Sequence, residues 1–340
     1  MSNLKHIIVV GASAGGFQAI TNLLSVLPDK LPTAVFVVMH LGKGSSSKFI
    51  SEHFDKFTSY ECRIPEDHEK IAAGTVYIAP PDFHMLVTRT EIRLIKGAKQ
   101  NRFRPAIDVL FRSATAAFDS SVIGIVLSGM MDDGTSGMSA IKRAGGICIV
   151  QDPQEAAHPD MPENVLKNVN VDHQVPVADM GYIIDDIFSR PHTAGLAIPD
   201  DVKLEAAMDE NMGSNIEAMN GLGTHSNYVC PDCGGNLWLI QNEDSHRFRC
   251  HTGHVYTSNV LLEEHQKHLE ESLWVAIRMM EERKDLLIME QGAKHLLVKE
   301  ELDLPIQMLK ALIDTFDERP PANESPLKAQ TNSGNNSLEA

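Results

Sequence analysis

The sequence predicts an α/β fold: a doubly wound, mostly parallel sheet with one antiparallel hairpin, followed by a small cysteine/histidine module and a long C-terminal helix. Three observations lead there. The runs Ile7–Val10, Ala34–Met39 and Val122–Leu127 are apolar with no polar face, as strands covered on both sides are. Segments with helical spacing of apolar residues alternate with such runs, the pattern of βα units. Beyond Phe188 the alternation stops, and a cysteine/histidine cluster precedes a long helical stretch.

The elements follow in order. Ile7–Val10 ends at Gly11, and after Gly15 and Gly16 the residues Phe17, Ile20, Leu23, Leu24 and Leu27 recur at helical spacing until Pro28. Ala34–Met39 runs directly into His40, and Gly42–Ser47 reads as a loop. Phe49–Phe57 is predicted as a short amphipathic helix, Val76–Ala79 as a strand, and Pro80-Pro81-Asp82 as a turn. Met85–Val87 and Ile92–Ile95 alternate as an antiparallel pair. A helix over Asp108–Phe118, the strand Val122–Leu127, a helix over Ser136–Ala144 and a strand over Ile147–Val150 complete the alternation. Residues 189–226 read as a linker with at most a short helix near Val202–Met208. The Cys/His segment occupies 227–257, helical residues 258–318, and residues 319–340, rich in Pro, Asn and Ser, are expected to be disordered.

Composition narrows the function. A chain of 340 residues has room for about two domains. No stretch approaches ~20 uninterrupted apolar residues and the N-terminus lacks signal-peptide order, so a cytoplasmic protein without membrane insertion is expected. A net charge of −16 argues against a nucleic-acid surface. Of five cysteines, three fall in a metal-like pattern; Cys62 and Cys148 read as ordinary thiols.

Three polar residues, Ser13, His40 and Asp133, sit at or just past the carboxyl ends of three predicted strands, the edge where open α/β sheets bind ligands. A serine on a strand-to-helix bend lies beside the unpaired N–H groups of the helix start, where a nucleophile or an anion is held. Histidine supplies the base that a hydroxyl needs near neutral pH, and a carboxylate fixes its tautomer. The first turn lacks the GxGxxG spacing of a dinucleotide site.

The stretches GASAGG (11–16), YIAPPDFHM (77–85), NRFRPAIDVLF (101–111) and LSGMMDDG (127–134) together resemble the catalytic domain of the chemotaxis protein-glutamate methylesterases, the CheB family, over about residues 4–188, within an expected catalytic domain at 1–188. The resemblance implies Ser13 as nucleophile, His40 as general base and Asp133, the aspartate before the motif glycine, as orienting carboxylate. It places the oxyanion near the N–H groups of Ala14 and Met130, and it suggests Arg102 and Arg104 as neutralisers of an acidic substrate. The implied reaction is hydrolysis of γ-glutamyl methyl esters on the cytoplasmic helices of methylated chemoreceptors, with glutamine deamidation as a second activity and no catalytic cofactor. Two departures stand out. Ala14 replaces the usual threonine, which leaves the backbone N–H in place. The chain also starts at the first catalytic strand, so control by a phosphorylatable receiver domain of its own is not expected.

Cys230, Cys233, Cys250 and His254 (C-x2-C-x16-C-x3-H) offer three thiolates and an imidazole, the ligand set of a closed structural zinc site. His251 competes for the fourth place. The segment resembles a zinc-ribbon-like extension of some methylesterase-domain proteins. In the following helix Leu262, Leu269, Leu273, Ala276, Met280 and Leu287 form a stripe, which most often packs on the same chain; self-association or docking of a signalling-protein partner is the sharper alternative. Two rival functions are a silent docking protein of the same fold and an esterase for another protein substrate.

Overall fold

The apolar runs form strands buried on both faces because each lies between two layers of helices. A computed structural model describes residues 4–40, 47–191, 196–240, 246–291 and 296–317. The chain runs β1 (Ile7–Ala12), α1 (Gly16–Val26), β2 (Ala34–Met39), α2 (Ser47–Phe54), β3 (Glu61–Arg63), β4 (Thr75–Ile78), β5 (His84–Val87), β6 (Ile92–Ile95), α3 (Ile107–Phe118), β7 (Val122–Val126), α4 (Thr135–Arg143), β8 (Ile147–Gln151), α5 (Asp160–Asn168), β9 (His173–Val175) and α6 (Val177–Ser189). Seven strands form one parallel sheet in the order β3-β4-β2-β1-β7-β8-β9, and β5 pairs with β6 as a separate antiparallel hairpin.

Successive residues of β1 serve opposite faces, as the period of two requires. Ile7 and Val9 pack with Ile107, Phe111, Met138 and Met161, whereas Ile8 and Val10 pack with Ile20, Leu24, Phe54 and Ile184. From β1 the chain builds outward through β2, then returns to β7 on the other side of β1. That reversal opens a crevice between the carboxyl ends of β1 and β7, the place where doubly wound sheets bind ligands.

After α6 the structure departs from the expected linker. Helices α7 (Asp200–Glu210) and α8 (Ile216–Leu222) occupy this stretch, and α7 packs on α3. The periodicity is weak because the inward side of α7 carries Glu205 and Asp209, both buried, beside Val202, Ala206 and Met208. A second sheet follows: β10 (Gly223–Val229), β11 (Asn236–Ile240), β12 (Arg247–Cys250) and β13 (Val255–Thr257), all antiparallel.

Two helices come last, α9 (Ser258–Gln291) and α10 (Leu296–Asp317). Residues Met1–Ser258 and Asn259–Ala340 form two separate compact units. In the second, Ile277, Leu273 and Met280 of α9 pack against Ile306, Leu309 and Ile313 of α10. Part of the expected stripe differs: Leu262 and Leu269 are exposed, while Ile277, outside the stripe, is buried among Leu273 and Met280. Of the expected loop at 42–47, residues 42–46 lie outside the described residues and Ser47 begins α2 instead; the disordered tail expected at 319–340 also lies outside them. Among the described residues, no helix is long and apolar enough to cross a membrane.

Candidate active site

Ser13 follows β1 on a bend that two glycines make possible. Gly15 has a left-handed φ of 74°, and a side chain there would meet the Ser128 hydroxyl at 2.6 Å. Gly129 lets the loop after β7 approach: a Cβ on it would lie 1.9 Å from Met161 Sδ and 2.9 Å from the Ser13 Cβ. The Ser13 N–H donates to the Ser128 carbonyl at 3.0 Å, and the Ser128 hydroxyl donates to the Ala14 carbonyl at 2.8 Å. The bend is thereby pinned between β1 and β7.

His40 follows β2 in the same way, its N–H donating to the Ala12 carbonyl at 3.2 Å. Its ring joins the three distant segments. Ser13 Oγ lies 3.1 Å from His40 Nδ1, and His40 Nε2 lies 2.8 Å from Asp133 Oδ2. The carboxylate only accepts, so Nε2 carries the hydrogen and Nδ1 is left to accept from the serine hydroxyl. The imidazole is 4 % exposed and the carboxylate fully buried.

Asp133 sits at the N-terminus of α3. Its Oδ2 accepts the Ile107 N–H at 2.7 Å and its Oδ1 the Asp108 N–H at 3.3 Å, so helix-start donors and the helix dipole meet a negative charge. Burial pushes this carboxyl up, but the hydrogen bond and charge of His40 and the two amides outweigh it, holding it below the ordinary carboxylate value. Asp108, one residue into the same helix, goes the other way. Burial and the charge of Asp133 push its carboxyl up to about 8. It accepts the N–H groups of Gly134 and Gly137 at 3.0 and 2.7 Å and so caps α4.

Sequence reasoning missed Asp108, Asn101 and Phe103. The Phe103 ring stacks on His40 with centroids 3.5 Å apart and planes 6° apart. Asn101 Nδ2 donates to Asp133 Oδ1 at 3.3 Å and to Asp108 Oδ2 at 3.2 Å. Both belong to the tight turn Gln100–Phe103, closed by two mutual backbone hydrogen bonds, with Asn101 and Arg102 left-handed at φ 48° and 72°. The sequence signal was an asparagine, a residue that tolerates this region, next to the aromatic.

Of the other expected residues, Ala14 adjoins Ser13 and Met130 follows Gly129, and among the described residues neither N–H makes a backbone–backbone hydrogen bond. Arg102 belongs to the turn that carries Phe103. Arg104 is directed elsewhere: it pairs with Asp82 at 2.6 Å and donates to the Gly97 carbonyl at 2.7 Å.

The Cys/His cluster lies on the second sheet. The ligand atoms of Cys230, Cys233, Cys250 and His254 all lie within 4.8 Å of one another, and this group can hold a metal ion. A tetrahedron with metal–sulfur bonds of about 2.3 Å and a metal–nitrogen bond of about 2.0 Å has edges of roughly 3.8 Å between sulfurs and roughly 3.5 Å from sulfur to nitrogen. Cys233 and Cys250 Sγ stand 3.8 Å apart, and His254 Nδ1 is 3.6 Å from both Cys230 and Cys250. The His254 N–H and the Thr252 hydroxyl also reach the Cys250 sulfur, at 3.3 and 2.9 Å, which suits a thiolate. The competing His251 is not in the cluster.

A serine–histidine–carboxylate relay at the switch point of a doubly wound sheet has the build of an α/β serine hydrolase. The comparisons agree. The CheB methylesterase family model matches residues 8–184, and the chain belongs to that family. A putative protein-glutamate methylesterase/protein-glutamine glutaminase of Leptospira interrogans is 34% identical over 167 residues, 49% of this chain and 86% of that protein. The protein-glutamate methylesterase/protein-glutamine glutaminase of Bordetella bronchiseptica is 35% identical over 181 residues, and the chain spans 51% of its length. The crystal structure of the Thermotoga maritima CheB methylesterase catalytic domain matches with TM-score 0.52 and 30% identity, covering 54% of this chain and 98% of that one.

Proposed function

We propose that this chain is a protein-glutamate methylesterase acting on methylated chemoreceptor helices, with glutamine deamidation as a second activity. The observation that carries the reading is the continuous relay from Ser13 Oγ through His40 to Asp133 in a chain of this family. Ser13 attacks the γ-carbonyl of a glutamyl methyl ester while His40 Nδ1 takes its proton. The resulting imidazolium is held by Asp133 on one edge and faces the Phe103 ring, which attracts positive charge. The tetrahedral oxyanion is received by the N–H groups of Ala14 and Met130. His40 returns the proton to the leaving methoxide, methanol departs, and an acyl-enzyme remains. A water then attacks that acyl group with His40 again as base, and glutamate and free Ser13 are restored.

Residues 1–188 are the catalytic part of this reading, and no step needs a bound cofactor. Cys230, Cys233, Cys250 and His254 are assigned to a structural zinc in a zinc-ribbon-like module at 227–257. These residues would hold the metal between the β10–β11 turn and the β12–β13 turn, where it would supply a structural cross-link and take no part in the ester chemistry. Arg102 remains the candidate for neutralising an acidic receptor helix, and residues 258–318 are assigned to self-association or a signalling partner. A cytoplasmic location follows from the substrate.

The test is methanol release from methylated receptor membranes. The Ser13→Ala and His40→Gln variants should each lose at least about a thousandfold in kcat. A Ser13→Ala protein that still releases methanol at the parent rate refutes the assignment.

A further inference from the structure

Asn101 touches two parts of the molecule at once. Its backbone N–H donates to the Val255 carbonyl at 2.8 Å, on the β13 strand that follows His254. Its side chain donates to Asp133 Oδ1 at 3.3 Å and to Asp108 Oδ2 at 3.2 Å, and the residue is 1 % exposed. The neighbouring Gln100 forms an isolated parallel bridge with Val255 and donates to Asp209 Oδ1 at 2.7 Å, while Arg112 of α3 donates to Gln100 Oε1. Asp209 in turn accepts from Arg249 of β12 at 2.9 Å. The turn that carries Asn101 and Phe103 is thus held from outside the catalytic sheet.

Such a turn needs holding. Two consecutive non-glycine residues in the left-handed region persist only where the surroundings over-determine them. We infer that the Cys/His module, through Asn101, is a positioning clamp on the Asp133 carboxylate and on the ring that stacks over His40. The inference rests on the reading of Ser13, His40 and Asp133 as the reacting groups. Asn101 touches no reacting atom; it acts through Asp133. When the module loosens, the Val255 contact goes first, the turn relaxes, and both the donor to Asp133 and the Phe103 stack drift out of register. Misplacement of this kind lowers the chemical step and leaves binding of the rest of the substrate alone.

The test uses the full chain with Cys233→Ala, which removes the exposed ligand and spares the buried ones, Asn101→Ala, and the pair together. Two signals are read: the rate of Ser13 acylation by a small activated ester, with kcat and KM separated, and hydrogen exchange of the amides at 99–103. Each single variant should lower kcat between about tenfold and a hundredfold with KM held. Cys233→Ala should also speed exchange at 99–103. The double variant should be no slower than the slower single, because loosening the module already takes the Asn101 side-chain amide off Asp133, so its removal costs nothing more. Chelation of the parent protein and re-addition of zinc should lower and restore rate and protection together, which covers a Cys233→Ala variant that fails to fold. A parent rate and unchanged exchange in Cys233→Ala, no response to chelation, or losses that multiply in the double variant each overturn the clamp. If the parent shows no Ser13-dependent acylation, the triad reading fails first, a result that the exchange data separate from failure of the contact itself.

Discussion

At the scale of single residues, the site is a pair of neighbouring buried carboxyls driven in opposite directions. Asp133 stays charged because a histidine and two helix-start amides face it; Asp108 shares the burial and lies beside that charge. The sign for stability follows from proton counting. Between the unfolded carboxyl value of about 3.9 and the folded value, native Asp108 holds a proton that the unfolded chain has released. Its contribution therefore falls as pH rises through that window and levels off above about 8. Asn in its place keeps an acceptor for the Gly134 and Gly137 amides and cannot ionise. The melting temperature of Asp108→Asn should lose the part of the parent's decline between pH 5 and 8 that this group causes; parallel curves for the two proteins would show that Asp108 titrates normally. Ser13 and His40 follow apolar runs, so counting along the strand offers them as sheet-edge candidates, whereas their choice as a triad, and that of Asp133 over Asp132, came from the resemblance to the methylesterase family. Asn101 and Phe103 were not legible, since a turn has no period and their roles come from what packs on them.

At the scale of elements, the stretch misread as a linker is the most instructive. Helix α7 buries Glu205 and Asp209 against Arg112, Arg247 and Arg249, with Arg247 donating to both Glu205 oxygens at 3.0 and 2.8 Å and Arg249 reaching Glu205 and Asp209 at 3.3 and 2.9 Å. An amphipathic pattern is read from apolar residues, and here the inward face is charged, so the pattern vanished. The arginines that complete it come from α3 and β12, far away in sequence. The edge strands β3 and β9, three residues each and part-exposed, were equally silent. Burial pushes the Glu205 carboxyl up, but Arg112 and Arg247 outweigh it and hold it well below its usual value. Deleting one partner of such a cluster strands the others in a dry interior. Glu205→Ala should lower the free energy of unfolding in urea by about 3–5 kcal/mol, and Glu205→Gln, which keeps an acceptor, by less. A loss within ~0.5 kcal/mol for Glu205→Ala would mean that water reaches the arginines and that the cluster does not tie α7 to the sheet.

At the scale of the whole chain, the position of the natural break matters more than the end of the family match at residue 184. A chain ending at Phe188 keeps every strand of the parallel sheet but removes Glu205, Asp209 and the Val255 carbonyl. Arg112, 1 % exposed in the intact protein, then faces no carboxylate from α7, and the turn at 100–103 loses its outside support. A chain ending at Ser258 keeps all of these contacts, and residues Met1–Ser258 form one compact unit. The helices beyond it bury one face around Ile277, Ile306 and Ile313, yet leave Trp274, Val275 and Met279 on α9 exposed, with Leu304, Met308 and Leu312 at four-residue spacing on α10. Exposed apolar stripes of that kind are what the proposed association through residues 258–318 would cover. Three chain lengths separate the two contributions. The Ser258 chain should retain the parent rate of Ser13 acylation and sediment as a monomer, while the full chain sediments as a larger species at the same concentration. The Phe188 chain should melt well below the Ser258 chain and lose acylation. Equal melting temperatures for the two shortened chains would show that the sheet needs nothing from residues 189–258. A monomeric full chain would leave the exposed stripes to a different partner.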